Sequence, residues 1–181
     1  MRLSRIPLTA ALVMLATSAF ATSPYDVNGF NTGLVFSKAL EKARSLGGNC
    51  QNTPPATQEG GVRAQCEFAP CNSRDKDGAC DPQDAQAVGL TIASQPIVRI
   101  SLEAPLESAP VNRIVFIFDG RHDAVKVSLY EKYGPPSADV TPEGEQSWSR
   151  ARRVRWTEGP YHLGLSDIPK LVTLEADQAQ K

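Results

Sequence analysis

The sequence predicts an α+β fold: a two-layer, disulfide-stapled domain in which an antiparallel sheet of about six or seven strands carries two helices packed on one face. Three observations point there. The readable elements run helix, four strands, helix, three strands, and a run of sequential strands favours meanders over parallel crossovers. Most strand segments alternate apolar with polar residues, the pattern of a sheet with one buried face. Four cysteines occur in a chain that opens with an export signal, and an even count in an exported chain favours disulfides.

The opening stretch MRLSRIPLTAALVMLATSAFA has Arg2 and Arg5 ahead of an apolar segment from Leu8 to Ala16, then the small-x-small triplet Ala19-Phe20-Ala21. That apolar segment is shorter than the roughly 20 residues a permanent span needs. Residues 1–21 are therefore read as a cleaved signal peptide, with the mature chain starting near Thr22. No cysteine lies at the cleavage point to accept a lipid, so the expected location is periplasmic or secreted. Removing 21 of 181 residues leaves 160, enough for one core. The 19 Lys and Arg drop by Arg2 and Arg5 to 17 against 20 Asp and Glu, a net of −3. Such a balance argues against a general nucleic-acid binder, which needs a strongly basic face. No later segment is long and apolar enough to be transmembrane.

In FNTGLVFSKALEKARSLGG, Phe36, Ala39, Leu40, Ala43 and Leu46 recur at helical spacing, with Asn31 or Thr32 as cap and Gly47-Gly48 as stop. NCQNTPPATQEGG reads as a loop. VRAQCEF alternates, with Val62, Ala64, Cys66 and Phe68 inward. VGLTIAS and PIVRISLE form a hairpin near Pro96, with Val98, Ile100 and Leu102 inward. The continuous run Ile114 to Phe118 predicts a central strand covered on both sides. The second helix lies in DGRHDAVKVSLYEKYGPP, on a Val125, Leu129, Tyr133 ladder with Asp119 at its entrance and Gly134 at its end. PSADVTPEGEQ reads as a loop, SWSRARRVRW, YHLGL and KLVTLE as three strands, and 175–181 as a frayed tail, so that the single domain covers 22–174. LEKARSLGG and SLYEKYGPP both end a helix on glycine and precede Arg-bearing strands, a weak sign of duplication. On fold-level analogy alone, the order is similar to small exported helix-on-sheet proteins that include enzyme inhibitors.

Four cysteines allow three pairings. The preferred one joins Cys50 to Cys66, tying the end of the first helix to the neighbouring strand, and Cys71 to Cys80, closing an acidic turn. Within that turn Asp75, Asp77 and Asp81 could offer carboxylates to a weak calcium site. Against calcium, Ser73 stands where an EF-hand has its first aspartate, Lys76 adds a repelling charge, and any exposed turn uses Asp and Gly. No other cofactor is expected.

Candidates for chemistry are few. His122 lies beside Asp119 and Asp123 in DGRHD, an arrangement able to orient a base, but no nucleophile motif accompanies it. His162 is expected to face solvent. Glu143 and Glu145 sit in a Pro-Gly loop as solvated acids. The unusual surface is WSRARRVRW: Trp148, Arg150, Arg152, Val154 and Trp156 share one strand face, with Arg153 and Arg155 on the other. Arginine and tryptophan often carry interface energy, and arginine offers five donors to carboxylates. The alternative is that the tryptophans fill the core while the arginines cover the sheet. The expected function is a non-enzymatic exported binding protein, inhibitor-like or immunity-like, whose partner is another exported or envelope protein and whose docking strip is Trp148, Arg150, Arg152, Arg153, Arg155 and Trp156. The alternatives are an envelope protein binding an anionic polymer and a hydrolase-like enzyme using the Asp-His pair.

Overall fold

A computed structural model describes residues 23–54, 61–68, 90–140 and 153–177. The signal segment 1–21 lies outside them, as do Cys71, Cys80, Asp75, Asp77, Asp81, Trp148, Arg150 and Arg152.

The elements follow in the order α1 (Phe36–Ser45), β1 (Asn49–Thr53), β2 (Val62–Glu67), β3 (Thr91–Ile92), β4 (Gln95–Ala104), β5 (Arg113–Phe118), α2 (His122–Tyr133), β6 (Ala138–Val140), β7 (Arg153–Glu158), β8 (Tyr161–Asp167) and β9 (Lys170–Ala176). The sheet has nine strands, more than the six or seven expected, in the order β1-β2-β4-β5-β9-β8-β7-β6, with β3 paired to β4. Every pairing is antiparallel. With the short hairpin strand β3 set aside, the chain repeats one unit twice: a helix and then four strands, α1-β1-β2-β4-β5 and α2-β6-β7-β8-β9. The last strands of the two units, β5 and β9, pair at the middle of the sheet.

Both helices stop where glycine permits it. Gly47 (φ +90°) and Gly134 (φ +75°) take the left-handed region, and the Gly48 N–H reaches back to the Ala43 carbonyl. Their starts differ from expectation. Asn31 uses its side chain on the Gly33 N–H, Thr32 is buried, and neither α1 nor α2 has a side-chain cap. Ala39 and Ala43 of α1, and Val125 and Leu129 of α2, enter one apolar cluster with the inward side chains of the strands.

Register explains that cluster. Side chains of directly paired residues share a face, so the pairs Cys66↔Ile100, Ile100↔Phe116, Phe116↔Val172, Val172↔Leu165 and Leu165↔Val154 form one inward row. All six residues are buried. A bulge between Ile97 and Arg99 moves the alternation of β4 by one residue. Ile97 is therefore buried where Val98 was expected. The β3–β4 hairpin turns through Ala93 (φ +49°) and Ser94 (φ +60°), the paired left-handed conformation of a tight two-residue hairpin.

Two strands arise where loops were expected. Asn49–Thr53 and Ala138–Val140 are the outer edges of the sheet. Their polar or very short sequences show no alternation, and pairing with β2 and β7 makes them strands. In β1 the pairing is covalently locked: Cys50 stands directly opposite Cys66, and the two are disulfide-bonded. At the other end, β9 continues through Ala176, two residues into the expected tail.

The cross-link spans 16 residues of sequence, for which loop-closure entropy gives about 3 kcal/mol. The Cys50→Ala/Cys66→Ala chain is expected to lose about that much in denaturant unfolding. Tyr25, buried edge-on against Tyr133, has its hydroxyl pKa raised above the usual 10.0 by burial and by Glu158 and Tyr133. The folded state thus resists making a phenolate that the unfolded chain makes freely. Its contribution to stability is complete below pH 10.0 and is lost as pH rises past the folded value. Thermal denaturation across that range is expected to show a steeper alkaline fall in the native chain than in Tyr25→Phe.

Candidate functional site

The face of the sheet opposite the apolar cluster is built from the alternate residues of the same strands. Three rows of directly paired residues cross it. The first runs Arg63, Glu103, Arg113, Glu175, His162, Thr157. Its charges alternate and they touch: Arg63 Nε lies 3.2 Å from Glu103 Oε1, while Arg113 bridges Glu103 at 3.6 Å and Glu175 at 2.9 Å. At its far end His162 is fixed on both ring nitrogens, Nδ1 at 3.2 Å from Thr157 Oγ1 and Nε2 at 3.1 Å from Asp177 Oδ1. The imidazole faces outward as expected but is largely covered by these partners, with 13% of its side chain exposed.

The second row runs Gln65, Ser101, Val115, Thr173, Gly164, Arg155, and the third runs Glu67, Arg99, Ile117, Leu171, Ser166, Arg153. In the third row Arg99 pairs with Glu67 at 2.7 Å. Arg153 and Arg155 differ. Both are exposed, and among the described residues no carboxylate reaches either within ion-pair distance. Their paired neighbours are Ser166 and Gly164, which bring no charge.

The run Ile114–Phe118 was expected to be covered on both sides. Ile114, Phe116 and Phe118 are buried, but Val115 and Ile117 lie on the open face and are only half-buried. Beside them Leu171 is also half-buried, and Ile168 in the β8–β9 turn is 60% exposed. Here the sheet surface forms a shallow groove of about 370 Å³ whose lining includes Arg113, Arg153, Arg155, Leu171 and Ile168.

The expected docking strip is therefore corrected at Trp156. Arg153 and Arg155 lie on the open face, whereas Trp156 is 2% exposed, packs edge-on against Tyr130 at 5.6 Å and donates its indole N–H to the Gly134 carbonyl at 2.9 Å. The alternation of β7 sends Val154 and Trp156 into the core and the two arginines outward. Sequence reading missed Ile117, Leu171 and Ile168 as surface partners of these arginines. For Ile117 and Leu171 the signal is an apolar residue at the outward parity of a strand with period-2 burial; Ile168, in the turn between β8 and β9, carries no such signal.

His122 opens α2 with 13% of its side chain exposed, its Nδ1 3.5 Å from an Asp123 carboxylate that is itself 94% exposed. Among the described residues no hydrogen-bond partner meets its buried Nε2. Among the described residues no group of three or more His, Cys, Asp or Glu could hold a metal ion, and no helix is long and apolar enough to cross a membrane.

No protein-family model, no curated protein and no solved structure matches the chain.

The ion pairs that Arg113 makes are open to water on the arginine side, and each is worth little alone. Arg113, which serves two carboxylates, is expected to matter most: Arg113→Gln costs about 0.5 to 1 kcal/mol at low ionic strength and less in about 1 M salt, read by urea unfolding at the two salt levels.

Proposed function

We propose that this chain is an exported, non-enzymatic binding protein, inhibitor-like or immunity-like, that docks a partner protein on the open face of its sheet. In this reading both helices cover the other face, so the open face is the larger surface left for a partner. The observation that carries it is a groove on the open face in which half-buried Leu171 and exposed Ile168 lie with Arg153 and Arg155, next to half-buried Ile117, the strand partner of Leu171. An apolar centre with a polar, arginine-rich surround is how protein interfaces are built. The Cys50–Cys66 disulfide supports a location outside the reducing cytosol, periplasmic or secreted, where such bonds persist. The partner is then another exported or envelope protein.

Mature protein immobilised on a resin is expected to capture a discrete protein from the matching exported fraction. Ile168→Asp and Arg155→Glu, both at exposed positions, are each expected to weaken capture tenfold or more with the melting temperature unchanged. Undiminished capture by both variants rules out the open face. Salt-sensitive retention of the mature protein on an anionic polymer, without a discrete protein partner, supports the envelope-polymer alternative instead.

A further inference from the structure

The two repeated units place matched residues at matched positions on the open face. Val115 and Thr173 face each other at the middle of the β5–β9 pair. Counting outward from them along the observed registers superimposes β4 on β8 and β2 on β7, and sets the Ala104 end of β4 on the Asp167 end of β8. Under that superposition Arg63 corresponds to Arg153, and its partner Glu103 corresponds to Ser166. In the first unit the arginine meets a carboxylate at 3.2 Å; in the second it meets a serine hydroxyl group that bonds instead to the Ile168 carbonyl at 3.4 Å. Gln65 corresponds to Arg155, which adds a second charge without adding a partner. The ion pair Arg113–Glu175 corresponds across the axis to the apolar pair Leu171–Ile117. Among the described residues, every arginine of the first unit's open face meets a carboxylate, one of these being Glu175 of the second unit, whereas the second unit presents two guanidinium groups that meet none.

From this we infer that the docking face recognises an extended acidic segment of a partner protein, with carboxylates at alternate positions on Arg153 and Arg155 and an apolar side chain at a further alternate position against Leu171 and Ile168, which line the same groove. The inference rests on the docking-face reading above and names the chemistry of its partner. The spacing fits. Arg153 and Arg155 are alternate residues of one strand, about 7 Å apart, which is also the distance between alternate side chains of an extended peptide. Guanidinium groups bind carboxylates in paired, directional hydrogen bonds, so two of them at this spacing select for a matched pair of acids. The missing carboxylate at Ser166 is supplied by the partner.

The experiment measures fluorescence anisotropy, on the full mature protein, of a labelled extended peptide with aspartates at two successive alternate positions, leucine at the next alternate position and serine between them. The same peptide with lysine in place of aspartate serves as the control, and unlabelled peptide or inorganic polyphosphate as competitor. The acidic peptide is expected to bind and to weaken as salt rises, while the lysine peptide does not bind. Ser166→Glu, which installs the carboxylate found at Glu103, is expected to reduce the affinity tenfold or more; Arg153→Glu and Arg155→Glu do the same, and Arg44→Glu on exposed α1 does not. Ser166 is buried, so its variant is compared at equal melting temperature, and the exposed Arg153→Glu carries the test if Ser166→Glu fails to fold. Equal binding of the lysine peptide, native affinity in a folded Ser166→Glu or Arg153→Glu chain, or displacement by polyphosphate at lower charge concentration than by peptide each overturns the inference. If the captured partner is lost with Ile168→Asp but kept with Ser166→Glu and Arg153→Glu, the face stands and its acidic specificity falls. Capture indifferent to all of them removes the face itself.

Discussion

The pairing of β5 with β9 is the constraint on which the rest of the structure depends. Each repeated unit ends in one of these strands, and each unit's strands step outward from it in antiparallel order. Because side chains alternate with a period of two, a slip of one residue at this junction would turn the whole buried row of one unit toward solvent. The observed register sets Ile114 opposite Leu174 and Phe116 opposite Val172, all four fully buried, so the apolar faces of both units meet in one core. Phe30, edge-on to Phe116 at 5.8 Å, brings the N-terminal segment into the same cluster. Eight strands in line thus keep a single buried side, a requirement neither four-stranded unit could meet for the other without this junction.

The same register decides what the open face looks like. It places Arg113 opposite Glu175, so one alternating row of charge passes from the first unit into the second without a break. It also places Ile117 opposite Leu171, so the centre of that face is apolar on one side of the axis and ionic on the other. Two units of like topology therefore do not make a symmetric surface. The arginines of the first half meet Glu67 and Glu103 of their own unit and Glu175 of the second; Arg153 and Arg155 of the second have no such partners among the described residues. Burying charge in an interface is favourable only when a partner replaces the lost water, so this imbalance dictates what kind of surface fits there.

How much of this was legible in the sequence follows from the same physics. The helices read correctly because their apolar positions recur at helical steps and glycine stops them. The core strands read correctly where alternation was unbroken, as in β2 and β7, whereas the unbroken apolar run of β5 hid that Val115 and Ile117 face outward. The misreadings have local causes. Val98 and Ile97 exchanged places because a bulge is invisible to a period-2 pattern. The edge strands Asn49–Thr53 and Ala138–Val140 escaped because an edge strand needs no apolar alternation of its own. Trp156 was misplaced because tryptophan beside arginine resembles an interface, whereas its parity along β7, shared with Val154, already put it inward. The Cys50–Cys66 bond was legible from the inward direction of Cys66. The groove was not, because its parts come from strands far apart in sequence and meet only through register.

The two outer edges show how differently the units are secured. An unpaired edge offers backbone donors and acceptors to other chains, and proteins hold such edges down. At β1 the device is covalent, a disulfide across the β1–β2 pair. At β6 it is a set of reversible contacts: Ser137 Oγ accepts the Thr157 N–H at 3.0 Å, Lys126 pairs with Asp139 at 2.9 Å, and the Trp156 indole bonds to Gly134. The covalent brace therefore sits on the unit whose charges are already matched. The uncompensated arginines sit on the unit closed by hydrogen bonds and an ion pair. Loss of the disulfide acts on stability from an edge four strands removed from β9, while the second unit keeps the contacts that fix β6 and β7. The disulfide and the two arginines that meet no carboxylate among the described residues thus lie in opposite halves of one sheet, and β5–β9 is the pair that joins them.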